Sequence, residues 1–219
     1  MLSGGGTLGP VTPLLALVEY WKELGVCADF VWVGTLKGPE AEIVSVSGVR
    51  FLGIQSVKAP RYLTAYWLAV PFLFCYSFLQ AWRVLQDELP DVIVTAGGFV
   101  SVPLVVLGRL RGVASWVHQQ DVLPGLANRI MARFAKVVSV TFSSSQSSFA
   151  RSKVRITGNP VRASVLEGDR VRAAERFGLD PKRKTLLVLG GGTGSLWLNR
   201  TVQALADTLT RDWQVLHIS

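Results

Sequence analysis

The 219 residues are 49% hydrophobic and 17% charged with a mean hydropathy of +0.36, which excludes a disordered chain and puts it at the apolar end for soluble proteins. A formal net charge of +8, pI near 9.9, suits polyanionic partners: nucleic acid, anionic lipid headgroups or phosphorylated substrates. Cys27 and Cys75 lie far apart in apolar surroundings without metal-ligand spacing, so they read as buried free thiols of a reducing compartment.

Met1, Leu2 and Ser3 precede a glycine loop and are too few to cross a sheet, so the first strand is expected to be nearly missing. No charged and then apolar leader follows Met1, and the protein is expected to face the cytoplasm. The loop, Gly4–Pro13 (GGGTLGPVTP), opens a helix over Val11–Leu24. Glycines let a backbone approach an anion, helix-start amides point at it, and Thr7 adds a hydroxyl. Pro13 fits the first turn, where a missing N–H costs little. The dinucleotide fingerprint is poorly matched, and no acid clearly ends the second strand to hold a ribose.

Buried parallel strands are expected at Asp29–Gly34 and Arg50–Ile54. The stretch from Tyr62 to Trp82 carries no charge and is long enough to span a bilayer. Pro71 near its centre, the polar Thr64, Ser77 and Gln80, and aromatics spread along it argue against a span. It reads as one helix, Tyr62–Glu88, part core and part interfacial, lying on a membrane beside Lys58 and Arg61.

The next strand, Asp91–Thr95, leads into a second glycine loop, Gly97–Pro103, which sets Gly98 and Ser101 at the start of a helix over Val102–Leu110. Two such loops on the carboxyl edge of one sheet point to a phosphate cleft. Strand Ala114–Val117 runs into His118-Gln119-Gln120-Asp121, then Pro124-Gly125 and Asn128, polar groups suited to sugar hydroxyls. Asp121 reads either as a functional acid or as the cap of the following helix, Gly125–Phe134. It is the only acid between Val92 and Leu166, a stretch with nine Lys and Arg residues. Strand Lys136–Val140, a helix over Ser145–Ala150 and the turn Gly158–Arg162 (GNPVR) complete a unit over 1–160, with Arg162 placed to meet a phosphate.

Residues 161–219 read as a linker and an incomplete second domain: a helical stretch over Ala173–Leu179, strand Thr185–Leu189, a glycine turn Gly190–Gly194, helix Leu196–Leu209 and strand Gln214–Ile218. One βαβ unit cannot bury both its faces, so both chain ends are expected to be clipped. The fold class is α/β: a Rossmann-like doubly wound parallel sheet followed by the first βαβ part of a second one.

In this order the motifs resemble the MurG family, membrane-associated N-acetylglucosaminyltransferases of peptidoglycan synthesis with the two-domain GT-B fold. The family's GGTGGH loop looks like Gly5, Gly6, Thr7, Leu8, Gly9 and Pro10, and its GGYVS loop like Gly97 to Ser101. Its HEQN motif looks like His118 to Asp121, with a later asparagine at Asn128; GNPVR matches Gly158 to Arg162 in full; its GGSQG turn looks like Gly190 to Gly194. The resemblance implies substrate contacts from Gly5, Gly6, Thr7, Leu8, Gly9, Gly98, Ser101, Asp121, Asn128, Arg162 and Gly192. It implies a membrane patch at Lys58, Arg61, Tyr66 and Trp67.

The implied reaction is metal-independent, inverting transfer of N-acetylglucosamine from UDP-N-acetylglucosamine to lipid I, giving lipid II, without a cofactor. Implied partners are lipid I, the nucleotide sugar, an anionic membrane surface on the cytoplasmic side of the inner membrane and a cell-wall synthesis complex, and no nucleic acid. Departures fall on the chemistry: Pro10 replaces the loop histidine and cannot move a proton, Leu8 replaces a glycine, Phe99 a tyrosine, and Gln119 and Asp121 interchange amide and carboxylate. His118 or Asp121 is then the general base. With most of a donor pocket lacking, the chain is expected to be inactive alone. Two other readings are a non-catalytic half that binds a lipid pyrophosphate beside a separate donor-binding protein, and a nucleotide-binding Rossmann protein of another class.

Overall fold

The computed structural model describes residues 1–56, 70–192 and 194–218. The chain divides into two compact units, Met1–Arg162 and Ala163–Ser219.

The first unit is built on a seven-stranded sheet in the order β3-β2-β1-β4-β5-β6-β7, with every neighbouring pair parallel. The strands are β1 (Leu2–Ser3), β2 (Val31–Thr35), β3 (Arg50–Ile54), β4 (Val92–Thr95), β5 (Ala114–Gln119), β6 (Val137–Val140) and β7 (Val154–Ile156). The intervening helices are α1 (Thr12–Glu23), α2 (Glu40–Val46), α3 (Val70–Glu88), α4 (Ser101–Leu110) and α5 (Leu126–Phe134). This is the Rossmann-like α/β architecture that the alternating pattern predicts.

Alternation along the strands divides the core between the two faces of the sheet. Val31 and Val33 join Ile93, Leu85 and Leu104 in one cluster, which takes in residues of α3, α4 and α5. Trp32, Leu2 and Val94 join Leu14, Val18 and Val44 in the other, with α1 and α2. β1 is only two residues long, yet it lies at the centre of the sheet between β2 and β4. Backbone bonds from Val94 to the Met1 carbonyl and from Gly4 to the Val33 carbonyl extend its pairing at both ends.

Several expectations need correction. Both cysteines are free but exposed: Cys27 sits in the α1–β2 loop and Cys75 on the outward side of α3. Ser143–Ser148 forms a 3-10 turn where a helix over Ser145–Ala150 was expected; six residues, five of them serine, have no apolar stripe to hold an α-helix on the sheet. α2 and β7 are additional elements. The predicted helix from Tyr62 is described only from Val70 onward, and Lys58, Arg61, Tyr66 and Trp67 lie outside the described residues.

On α3, Ser77, Ala81 and Leu85 face the core, whereas Phe72, Phe74, Tyr76, Leu79 and Trp82 remain exposed. Arg111, at the end of α4, stacks over Trp82 at 4.9 Å, and Leu110 beside it is exposed. Among the described residues no helix is long and apolar enough to cross a membrane.

In the second unit, α6 (Ala163–Leu166) and α7 (Arg170–Phe177) precede β8 (Thr185–Leu189), α8 (Leu196–Ala204), α9 (Ala206–Asp212) and β9 (Gln214–Ile218). Asp169 caps α7 by accepting from the Arg172 amide, and Gly178 ends it in the left-handed region. The helix expected over Leu196–Leu209 is interrupted at Leu205. β8 and β9 pair in parallel, and Leu187, Leu189 and Ile218 stay exposed because two strands with their helices cover only one face.

Trp32 is fully buried, and its indole N–H donates to the Gly4 carbonyl at 3.0 Å, so it joins core packing to the first glycine loop. Replacing it with alanine is expected to destabilise the first unit by about 3–5 kcal/mol, read from urea unfolding followed by circular dichroism.

Candidate functional site

Because every strand of the first unit is parallel, the loops after β1, β4 and β5 emerge at one edge of the sheet. The strand order reverses between β1 and β4, where crossovers leave in opposite directions and open a crevice. A cavity of about 240 Å³ lies there, lined by Thr7, Gly9 and Pro10 of the first loop, Ala96 to Gly98 of the second, Gln119 to Asp121, and Gly125, Ala127 and Asn128.

The two glycine loops touch through their backbones. Gly97 and Gly98 have φ of +119° and +97°, a region that side chains disfavour. A Cβ at Gly98 would come within 2.9 Å of the Gly5 carbonyl oxygen, and one at Gly97 within 3.0 Å of Asn128 Oδ1. Only glycines let the loops close on each other here.

Ser101 stands behind the second loop, not in the cavity. It is fully buried, and its hydroxyl lies 2.9 Å from Ser3 Oγ and 3.2 Å from the Gly97 carbonyl, tying α4 to β1. Gln119 is buried as well: its amide donates to the carbonyls of Asp121 and Leu123 and its oxygen accepts from Asn128 at 2.7 Å. Asn128 Nδ2 also donates to the His118 carbonyl, while its Oδ1 is buried with no hydrogen-bond partner among the described residues. An orphaned acceptor on a cavity wall suits a ligand hydroxyl or amide.

Asp121 is exposed on the cavity rim. Ser145 and Gln119 hold its backbone carbonyl, at 3.3 and 2.8 Å. It does not cap α5, whose first turn follows Gly125 with no side-chain cap.

His118 points the other way. It is 2% exposed, with Nδ1 2.8 Å from Ser139 Oγ and Nε2 3.0 Å from Asn159 Oδ1. The amide oxygen can only accept, so Nε2 carries the proton and Nδ1 accepts from Ser139, whose oxygen in turn accepts from the Trp116 indole at 2.6 Å. Both ring nitrogens are engaged, and the ring joins β5 and β6 to the Gly158–Arg162 turn. Burial pushes the imidazole below its ordinary value of 6.5, with the Asn159 bond opposing in part.

Gly5 is buried at the start of the first loop, Gly6 lines a neighbouring cavity with Thr35 and Gly38, and Leu8 and Arg162 are half-buried outside the cavity lining. Gly192 belongs to the second unit, in the turn before α8. Sequence reasoning passed over Glu40, a fully buried acid beside the first loop. The only signal in the sequence was an acid shortly after Gly34 and Gly38; that Gly5 also closes on it is visible only in the fold.

Residues 1–140 match the glycosyltransferase family 28 N-terminal domain. The chain belongs to glycosyltransferase family 28. It is 37% identical, over its whole length, to UDP-N-acetylglucosamine–N-acetylmuramyl-(pentapeptide) pyrophosphoryl-undecaprenol N-acetylglucosamine transferase 2 of Bacillus anthracis. It is 34% identical over the same extent to the corresponding transferase of Clostridium perfringens. The chain spans 61% and 60% of these two relatives. Among solved structures, the fold matches MurG of Acinetobacter baumannii with a TM-score of 0.66 at 21% identity, covering the whole chain and 65% of that protein. In family terms, the cavity, both glycine loops and the Gln119–Asp121 segment fall within the matched N-terminal domain.

The His118 environment has a pH signature. Its folded-state proton affinity lies below that of the unfolded chain, so its contribution to stability is present above about 6.5 and falls away as pH drops below it. A His118→Gln variant is expected to be less stable than the parent at pH 8, with the gap narrowing as pH is lowered to 5. Paired thermal melts across that range check it.

Proposed function

We propose that this chain supplies the acceptor-side domain, and part of the donor-side domain, of an inverting glycosyltransferase that moves N-acetylglucosamine from UDP-N-acetylglucosamine to undecaprenyl-pyrophosphoryl-N-acetylmuramyl-pentapeptide. The observation that carries the reading is the coincidence of two things: relatives of that printed activity aligned along the whole chain, and an exposed carboxylate at a glycine-walled cavity at the sheet's switch point.

In this reading the acceptor sugar lies over the cavity with a hydroxyl toward Asp121. Asp121 takes the proton as that oxygen attacks the anomeric carbon and UDP departs. The Asn128 oxygen receives a hydroxyl or amide of the sugar, and the glycine-loop backbones stand near the acceptor pyrophosphate. His118 holds the end of β5 in place, because a neutral ring with both nitrogens engaged has no capacity for a further proton acceptor role. Arg162, at the end of the first unit, serves a substrate phosphate.

The exposed face of α3, with Phe72, Tyr76, Leu79 and Trp82 beside Leu110 and the cations Arg83, Arg109 and Arg111, serves as the docking surface for an anionic membrane. Residues at spacings of three and four put these side chains on one stripe, which suits a helix lying in the interface plane. In this reading the same unit carries the cavity and meets the lipid-linked acceptor.

In an enzyme that joins this chain to a complete donor-side domain, Asp121→Asn is expected to lower kcat by roughly a hundredfold or more with little change in acceptor KM. His118→Gln should cost less than about tenfold. Equal losses for the two variants would refute the assignment. For the membrane face, the pair Leu79→Glu and Trp82→Glu should weaken binding to phosphatidylglycerol vesicles by about tenfold or more while leaving the circular dichroism spectrum unchanged.

A further inference from the structure

Glu40 is a fully buried acid that the mechanism above leaves without a task. Among the described residues no cation forms an ion pair with it. Its carboxylate is instead met by donors: the Thr35 amide at 2.7 Å, the Thr35 hydroxyl at 2.5 Å, and the Gly6 amide at 3.2 and 3.3 Å from the two oxygens. A buried carboxylate needs such donors, because leaving water without them is costly.

The surroundings are shaped for this group. A Cβ added at Gly5 or at Gly38 would fall on the carboxylate itself, and one at Gly34 would crowd Glu40 Cγ at 3.0 Å. Gly5 is therefore held between Glu40 on one side and Gly98 on the other. The Gly6 amide of the first glycine loop and the Thr35 amide at the end of β2 converge here, and backbone amides at such a loop are the kind of donors that receive a ligand phosphate in Rossmann-like proteins. In this chain the protein's own carboxylate occupies them. The first loop meets the cavity beside the second loop with Thr7, Gly9 and Pro10, while Gly6 and Thr35 line a separate cavity of about 360 Å³.

We propose that Glu40 is a positioning residue for acceptor binding, an internal anion that fixes the first glycine loop against the second and confines the acceptor's pyrophosphate to the glycine-loop side of the cavity, by Thr7 and Gly98. The inference rests on the acceptor-side reading given above. Glutamine at position 40 keeps the shape but points an N–H at a donor, and valine at position 35 removes one donor while keeping volume.

The test uses the 219-residue chain and vesicles of phosphatidylcholine and phosphatidylglycerol, with and without undecaprenyl pyrophosphate at equal surface charge. The parent should bind the pyrophosphate-bearing vesicles more tightly. Glu40→Gln should lose about tenfold of that increment and Thr35→Val about threefold, both with unchanged binding to phosphatidylglycerol alone. Increments equal to the parent's in both variants overturn the role of Glu40. If Glu40→Gln unfolds, it loses phosphatidylglycerol binding too, and Thr35→Val alone decides: a full increment there overturns the proposal. A parent with no increment sinks the acceptor-side reading itself, and this inference with it.

Discussion

The site depends on one constraint of chain geometry: a parallel sheet delivers all its strand ends to one edge, and this sheet reverses its order between β1 and β4. The two strands at the reversal are followed by the two glycine loops, which have to approach to within backbone contact for the cavity to have walls. The close approach of Gly98 to Gly5 meets that requirement, and the positive φ values of Gly97 and Gly98 are its conformational cost. β1 places a loop at the switch point, and its neighbours on both sides hold it there.

Around that edge the core turns polar in an ordered way. Ser3, Glu40, Ser101, His118, Gln119, Asn128 and Ser139 are all buried; Gln119 and Asn128 brace the β5–α5 connection, and the others link segments distant in sequence. Buried polar groups are tolerated only when partnered, and a partnered one admits few alternative arrangements. The apolar clusters on the two faces hold the sheet together, and the polar layer above them sets where each loop stands. Asn128 Oδ1 is the exception beside the cavity, and the exception lies where a ligand would be.

The fold was legible where the signal is local. Runs such as Val31–Thr35 and Val92–Thr95 are apolar and β-branched, and glycine loops follow β1 and β4, so strand identity and the ligand edge could be read directly. α2 was missed because seven residues with two early acids carry too little periodicity, and β7 because three residues do not make a pattern. Burial at the site was not legible, since it is set by distant partners: Asn159 lies forty-one residues from His118, and Gly6 thirty-four from Glu40. The same holds for Ser101, whose helix-start position suggested a ligand contact until Ser3, ninety-eight residues away, took its hydroxyl. Cys75 misled in the opposite direction, because an apolar neighbourhood in sequence belongs here to a helix with an exposed apolar face.

The interchange at positions 119 and 121 relative to the motif this chain resembles follows from the same polar layer. Position 119 is buried and must donate to two backbone carbonyls while accepting from Asn128. An amide can do both; a carboxylate has no proton to give and would face the Asp121 and Leu123 oxygens as a buried, repelled charge. Position 121 sits at the cavity rim in water, where a carboxylate keeps its solvation and its side chain is not needed for the loop. With glutamine at 119 bracing the turn, the motif's one acid is displaced to the place where it can meet a substrate. Proline at position 10 on the opposite wall has no proton to take or give, so under the proposed function proton transfer in this cavity falls to Asp121.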